Sequence, residues 1–166
     1  RWTLATGVLF ALLAFAIAAF GAASAGQRGF TSLDATLASL TTLGAFVIPL
    51  IGLLIAYDVI VGERSEGTLL LVLSYPLGRG QLVAGKFLGH LGALATATLV
   101  GFGAALAALL ALQEAALTAG DLWHLARFLG SAVLLGASFI ALATLVSVKA
   151  GDKARAAGLA LVLWLF

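Results

Sequence analysis

The chain has no cysteine and no methionine among its 166 residues. It therefore cannot build a disulfide framework, an iron–sulfur site or a thiolate metal site. Two histidines without any cysteine leave a structural zinc site short of its usual ligands. Charge is scarce as well. Asp, Glu, Lys and Arg make up 10% of the residues, against about 25% in an ordinary soluble domain. The nine bases and seven acids give a net charge of +2. Those bases are scattered, so no clustered basic face exists for nucleic acid. What fills the chain instead is apolar: 63% of it is hydrophobic. That excludes disorder, which needs low hydrophobicity and high charge, and a water-soluble enzyme domain. It points to an all-α, polytopic membrane protein.

Four complete hydrophobic segments and the start of a fifth are legible. The first covers roughly Trp2–Ala25 and is uncharged; it is too long for the apolar part of a signal peptide. A polar turn, Gly26–Ser32, precedes the second, about Leu33–Val61. Thr31 and Asp34 have capping-box spacing, which makes Asp34 a helix-start residue rather than a buried transport acid. The third segment starts near Gly80 and is apolar over Phe87–Leu112; the fourth is about Leu122–Val148. A fifth opens at Arg155 with eleven residues after it, where a span needs about 20. With Arg1 leading straight into an apolar run, the expectation is a single membrane domain over 1–166, truncated at both ends.

Orientation follows from the bases. If the connection from Asp58 to Lys86 is cytoplasmic, the inner side holds Arg1, Arg64, Arg79, Lys86, Lys149, Lys153 and Arg155, and the outer side only Arg28 and Arg127. Seven against two obeys the positive-inside rule. Trp123, His124 and Arg127 then fall at the outer interface as anchors, or as contacts for an outside partner. His90 falls near the opposite face, so the two histidines cannot share a metal.

The 58–86 stretch is the long connection of the chain. The second segment runs on as helix into the charged cluster Glu63-Arg64-Ser65-Glu66. Gly67 supplies a turn, Thr68 caps a short helix over Thr68–Tyr75, and Pro76 stops it. Eight residues reach roughly 12 Å, too short to span. This apolar helix must lie in the headgroup region, against its own bundle, or on a cytoplasmic partner. Asp58 and Lys86 are placed to form an interfacial ion pair.

Glu63-Arg64-x-Glu66-Gly67-Thr68-Leu69, then Pro76 and Arg79, then Gly85-Lys86-x-x-Gly89, resembles the connection between the second and third membrane helices of type-2 ABC transporter permeases. The flanking Tyr57-Asp58-x-Ile60-Val61-Gly62 and Lys86–His90 resemble the subgroup that supports copper-site maturation of nitrous oxide reductase. The likeness is dense over Pro49–Gly103 and topological elsewhere. It implies that the 58–86 stretch is the coupling region, with six helices in the complete protein, a second permease copy, and a bacterial inner-membrane location. It also implies a soluble ATPase docked on Glu63, Arg64, Glu66, Gly67, Thr68, Leu69, Leu70, Tyr75, Pro76 and Arg79, with a periplasmic accessory protein as a further partner. ATP and magnesium would belong to the ATPase, and this chain would be non-catalytic and bind no cofactor. Two departures are Gly78, where the family has serine, and Gln81, where an acid is common.

Gly80-x-x-x-x-Gly85-Lys86 matches a phosphate-loop pattern but lacks the following Ser or Thr and a preceding strand, so it is no ATP site. Gly85, Gly89, Gly92 and Thr96 lie on one helix face. That stripe predicts close packing, against the second segment or as a seam between two copies. A generic drug, lipid or polysaccharide exporter keeps the same architecture. A stand-alone secondary transporter would need midplane acids or paired broken helices, and only Pro49 breaks a segment here. A membrane scaffold has the same composition. A membrane enzyme lacks any acid–base or metal constellation. Without thiolate or thioether ligands, the chain is unsuited to carrying bare copper(I).

Overall fold

The computed structural model describes residues 33–76, 78–113 and 118–165. The expected first segment, the Thr31 cap and Arg28 lie outside them. Among the described residues every regular element is a helix: α1 (Leu33–Ala56), α2 (Val61–Ser65), α3 (Leu69–Leu73), α4 (Arg79–Gln113), α5 (Ala119–Lys149) and α6 (Lys153–Leu165). Among the described residues, three stretches are long and apolar enough to cross a membrane: Gly44–Ser65, Arg79–Gly103 and Ala119–Lys149. This is the all-α, multi-pass pattern that the composition dictates, because a backbone in lipid must satisfy its own hydrogen bonds. At 1.5 Å per residue, α4 is roughly 52 Å long, well beyond the ~30 Å of hydrocarbon. Its Arg79–Lys86 end is free to project into water.

The second segment is one apolar run in sequence but two helices in space. The chain breaks at Tyr57–Ile60 between α1 and α2. Pro49 lies inside α1 without ending it.

Two compact units divide the chain: residues 1–47 with 95–134, and residues 48–94 with 135–166. In the first, Phe102 meets Phe128 edge-to-face at 4.6 Å. Thr118 and Asp121 form a capping box at the start of α5: the Asp121 carboxylate accepts from the Thr118 backbone N–H (2.9 Å) and hydroxyl (2.7 Å), and Thr118 Oγ1 accepts from the Asp121 N–H at 3.3 Å.

The second unit holds a core of Ile48, Leu53, Ala56, Val59, Ile60, Val61, Leu94, Ile140, Ala143, Ala150, Ala156 and Ala160. Its tightest helix contact is made by glycines at Gly52 of α1 and Gly136 of α5. A β-carbon at Gly52 would lie 3.3 Å from the Gly136 carbonyl oxygen, and one at Gly136 would lie 2.5 Å from a Leu94 methyl and 3.2 Å from an Ile48 methyl. The stripe expected to do this, Gly85, Gly89, Gly92 and Thr96, does not pack on the second segment. All four are exposed, and a β-carbon at Gly85, Gly89 or Gly92 would meet no atom within 4 Å. Small residues permit close approach, but which face is used depends on what stands opposite.

Candidate functional site

The site is assembled around α2. In an unbroken helix the Ile60 and Val61 N–H groups would bond to the Ala56 and Tyr57 carbonyls. Here the Ala56 carbonyl accepts from Val59 instead. The two N–H groups donate to one oxygen, Ser147 Oγ of α5, at 2.9 and 3.1 Å. Ser147 is fully buried.

Three charged side chains then fasten α2 to its neighbours. Lys86 Nζ of α4 lies 2.5 Å from Glu63 Oε1 and donates to the Val59 carbonyl at 3.1 Å. About a fifth of the Lys86 side chain and a quarter of that of Glu63 are exposed, so the pair is half-shielded from water. The second oxygen of Glu63 is buried without a hydrogen-bond partner. Arg64 spreads its guanidinium over the end of α5, donating to the Ala150 and Val148 carbonyls at 3.3 and 3.4 Å. A fixed cationic fork there suits the negative end of the helix dipole. Lys153, at the start of α6, pairs with Glu66 at 2.7 Å in the open. Their hydrogen bond, then their mutual charge attraction, holds the Glu66 carboxyl below the usual carboxylate range. The same hydrogen bond raises Lys153 above the ordinary lysine value, with the Glu66 charge adding to it.

The expected ion pair between Asp58 and Lys86 is therefore corrected. Lys86 turns to Glu63, and Asp58 sits in the α1–α2 turn, where its charge acts on Lys153. Both acids are within reach of Lys86 along the sequence; the break before α2 decides which one faces it. His90 Nδ1 donates to the Lys86 carbonyl at 2.7 Å; a carbonyl only accepts, so the hydrogen sits on Nδ1.

Beyond α2, Gly67 adopts φ +75°, a left-handed turn that favours glycine. Thr68 occupies the N-cap position of α3 but makes no capping bond. Its backbone is helical (φ −76°, ψ −18°), so its hydroxyl donates back to the Glu63 carbonyl at 3.3 Å. Helix α3 is shorter than Thr68–Tyr75 and buries none of its residues. Leu70 is 79% exposed, Leu71 66% and Tyr75 60%; Leu69 is half-buried. After Pro76, Gln81 Oε1 accepts from the Gly78 N–H at 2.9 Å. That is one arm of a capping box, supplied by the residue that departs from the family pattern. Arg79 is exposed at the start of α4.

Of the residues singled out in the sequence, Glu63, Arg64, Glu66 and Lys86 are drawn together, and Leu70, Tyr75 and Arg79 face outward. Sequence reasoning missed Ser147, Ala150 and Lys153 as their partners. They stand about 87 residues away along the chain, and no local pattern marks them. Among the described residues no group of three or more His, Asp or Glu side chains is placed to hold a metal ion.

The family described as ABC-2 family transporter protein matches the chain over residues 1–166. A protein of Pseudomonas aeruginosa named "Probable ABC transporter permease protein NosY" is 60% identical over 166 residues, covering 100% of this chain and 60% of that protein. A protein of Stutzerimonas stutzeri with the same name is 53% identical over 164 residues, covering 99% of this chain and 59% of its own length. The chain thus spans about 60% of the length of these relatives. With three membrane-competent helical stretches already described, these matches make it part of a multi-pass membrane protein, and the chain belongs to the ABC-2 family of transporter proteins.

Proposed function

We propose that the chain is the membrane-spanning part of a permease subunit of an ATP-driven transporter in the bacterial inner membrane. The 58–86 connection lies on the cytoplasmic side and docks a separate ATPase through α3. The observation that carries this reading is a mismatch in α3. The helix is apolar, exposed and free of buried residues, yet it follows an α2 anchored to α4, α5 and α6. A helix exposing Leu70, Leu71 and Tyr75 on a fixed mount is suited to a partner's groove.

Within this reading Leu70, Leu71, Tyr75 and Arg79 meet the ATPase, while Glu63, Arg64 and Glu66 hold the mount, with Gly67, Thr68, Leu69 and Pro76 shaping it. ATP and magnesium belong to the partner. A second permease copy completes the bundle, and the exposed face at Gly85, Gly89, Gly92 and Thr96 is offered for it. The resemblance over Pro49–Gly103, together with relatives named NosY, supports a role in copper-site assembly of nitrous oxide reductase, with a periplasmic accessory protein on the outer side. These 166 residues supply no cysteine or methionine to ligate bare copper(I).

The test is co-purification of the full-length protein with the ATPase encoded beside it, in mild detergent. Wild type should retain the ATPase, and Leu70→Asp should lose it while staying monodisperse. Retention by Leu70→Asp, or no binding to a monodisperse wild type, refutes the docking reading.

A further inference from the structure

The contacts that fasten α2 differ in kind. The Arg64 contacts, one part-buried and one exposed, and the open Lys153 contact lie toward the surface, where water screens them. The Lys86–Glu63 pair is half-shielded and leaves one carboxylate oxygen without a partner. Only the Ser147 contact is wholly buried. Ile60 and Val61, which it holds, and Ala143 and Ala150, one turn to either side of it along the chain, are buried as well. A serine hydroxyl has two acceptor lone pairs, and both are taken by the N–H groups that the helix break sets loose. No backbone carbonyl replaces it for Ile60 or Val61, so the break exists in this form only with an oxygen at that point.

We propose that Ser147 is a positioning residue. Its hydroxyl fixes the angle at which the coupling region leaves α1, and movement imposed on α3 passes through it into α5. The second half rests on the docking reading given above. The geometry favours α5 as the receiver because one short stretch at its end gathers four hydrogen bonds from α2 and the turn before it. Ser147 holds Ile60 and Val61, and the adjoining Val148 and Ala150 carbonyls hold Arg64. A push on α3 reaches α2 through the Gly67 turn, and from α2 the buried connection leads to α5. Without the hydroxyl, α2 keeps its charged contacts but is free to swing about them.

The experiment uses the full-length protein with its ATPase in lipid nanodiscs and the variants Ser147→Ala, Ser147→Cys and Ser147→Thr. Amide hydrogen exchange is followed over residues 57–66, with a segment inside α5 as control. In S147A, exchange at Ile60 and Val61 should quicken about tenfold or more while the control stays unchanged. S147C keeps the shape but accepts hydrogen bonds weakly, and should follow S147A. S147T keeps the oxygen and should restore protection; if its extra methyl prevents folding, the S147A and S147C pair decides. In parallel, S147A should bind the ATPase within about twofold of wild type yet lose about half or more of the stimulated ATP hydrolysis, with S147T restoring it. Unchanged protection in S147A and S147C overturns the positioning role. Lost protection with full stimulation overturns the transmission role. If wild type binds no ATPase, the docking reading and transmission fall together, and exchange still decides whether Ser147 sets the angle.

Discussion

Alanine at Gly136 and alanine at Gly89 make the same chemical change on two helices and should have opposite results. Each replaces a helical glycine, and each gains up to about 1 kcal/mol of helix propensity. At Gly89 nothing stands within 4 Å of the new methyl, so that gain is kept. At Gly136 the methyl would lie 2.5 Å and 3.1 Å from the two Leu94 methyls and 3.2 Å from Ile48 Cγ2. Leu94 and Ile48 are 3% and 2% exposed, so neither can swing into open space. Overpacking of this kind costs about 1–3 kcal/mol. Because the propensity terms cancel in the comparison, G136A should be less stable than G89A by about that amount. That is a difference of roughly a few degrees in melting temperature, read by size-exclusion after heating in detergent. Gly136→Leu should fail to assemble, whereas Gly89→Leu should behave as wild type in the monomer. The Leu94→Ala change should cost less in the G136A background than alone, since it opens room for the methyl. Equal melting of G136A and G89A, or independent effects of G136A and Leu94→Ala, would refute the close contact.

Three further outcomes follow from the site. Lys86→Ala should destabilise by about 1–3 kcal/mol, and more than Glu63→Ala. Removing the lysine leaves a shielded carboxylate unpaired, whereas a freed lysine can reach water; thermal melting of the two variants checks the order, and the reverse order would contradict the pairing. Arg64→Lys should cost under about 1 kcal/mol, because both its bonds are long and the residue is exposed. Arg64→Glu should cost more by placing an anion at the end of α5, again read by melting. The contribution of the Glu66–Lys153 pair should be flat around neutral pH. The depressed Glu66 carboxyl loses its contribution only as pH falls through its folded value, below 4.5. The raised Lys153 loses its own only as pH climbs through its folded value, above 10.5. The melting difference between wild type and Glu66→Gln should therefore be constant across neutral pH and shrink in acid. A difference that changes between about pH 6 and 9 would rule the pair out as its source.

Long apolar runs carry their meaning locally, which is why the segments at Leu33, Gly80, Leu122 and Arg155 were legible from composition alone. The glycine turn at Gly67 and the stop at Pro76 were legible for the same reason: the conformation is written in one residue. What escaped were relations between distant residues. The break at Tyr57–Ile60 lies inside an unbroken hydrophobic run, and the N–H group of Ile60 that it frees is met by a serine hydroxyl 87 positions away. The stripe at Gly85–Thr96 has the spacing of a packing face, yet the close contact is made by Gly52 and Gly136, two glycines with no pattern around them. Spacing reports what a face permits; it does not report what comes to it.

The charged cluster and the short helix reverse the usual arrangement of a surface. Glu63, Arg64 and Glu66 are spent on partners within the chain, while the leucines of α3 are left outside. A five-residue helix is far below the length at which a helix stands unaided in water, about 12–15 residues. It has no buried side chain to compensate, so its shape and direction must be inherited from its two ends. One end is α2, held by Ser147 and three charged side chains; the other is the Pro76 stop and the Gly78–Gln81 cap of α4. The clamp on α2 is therefore also what orders α3. A partner meeting a prearranged helix is spared much of the entropy of ordering it. Cutting the charged contacts that mount α2, at Lys86 or Arg64, should weaken such a partner's grip even when every outward side chain is intact, whereas Ser147→Ala keeps those contacts and the grip while uncoupling the motion, which separates the pivot from the mount.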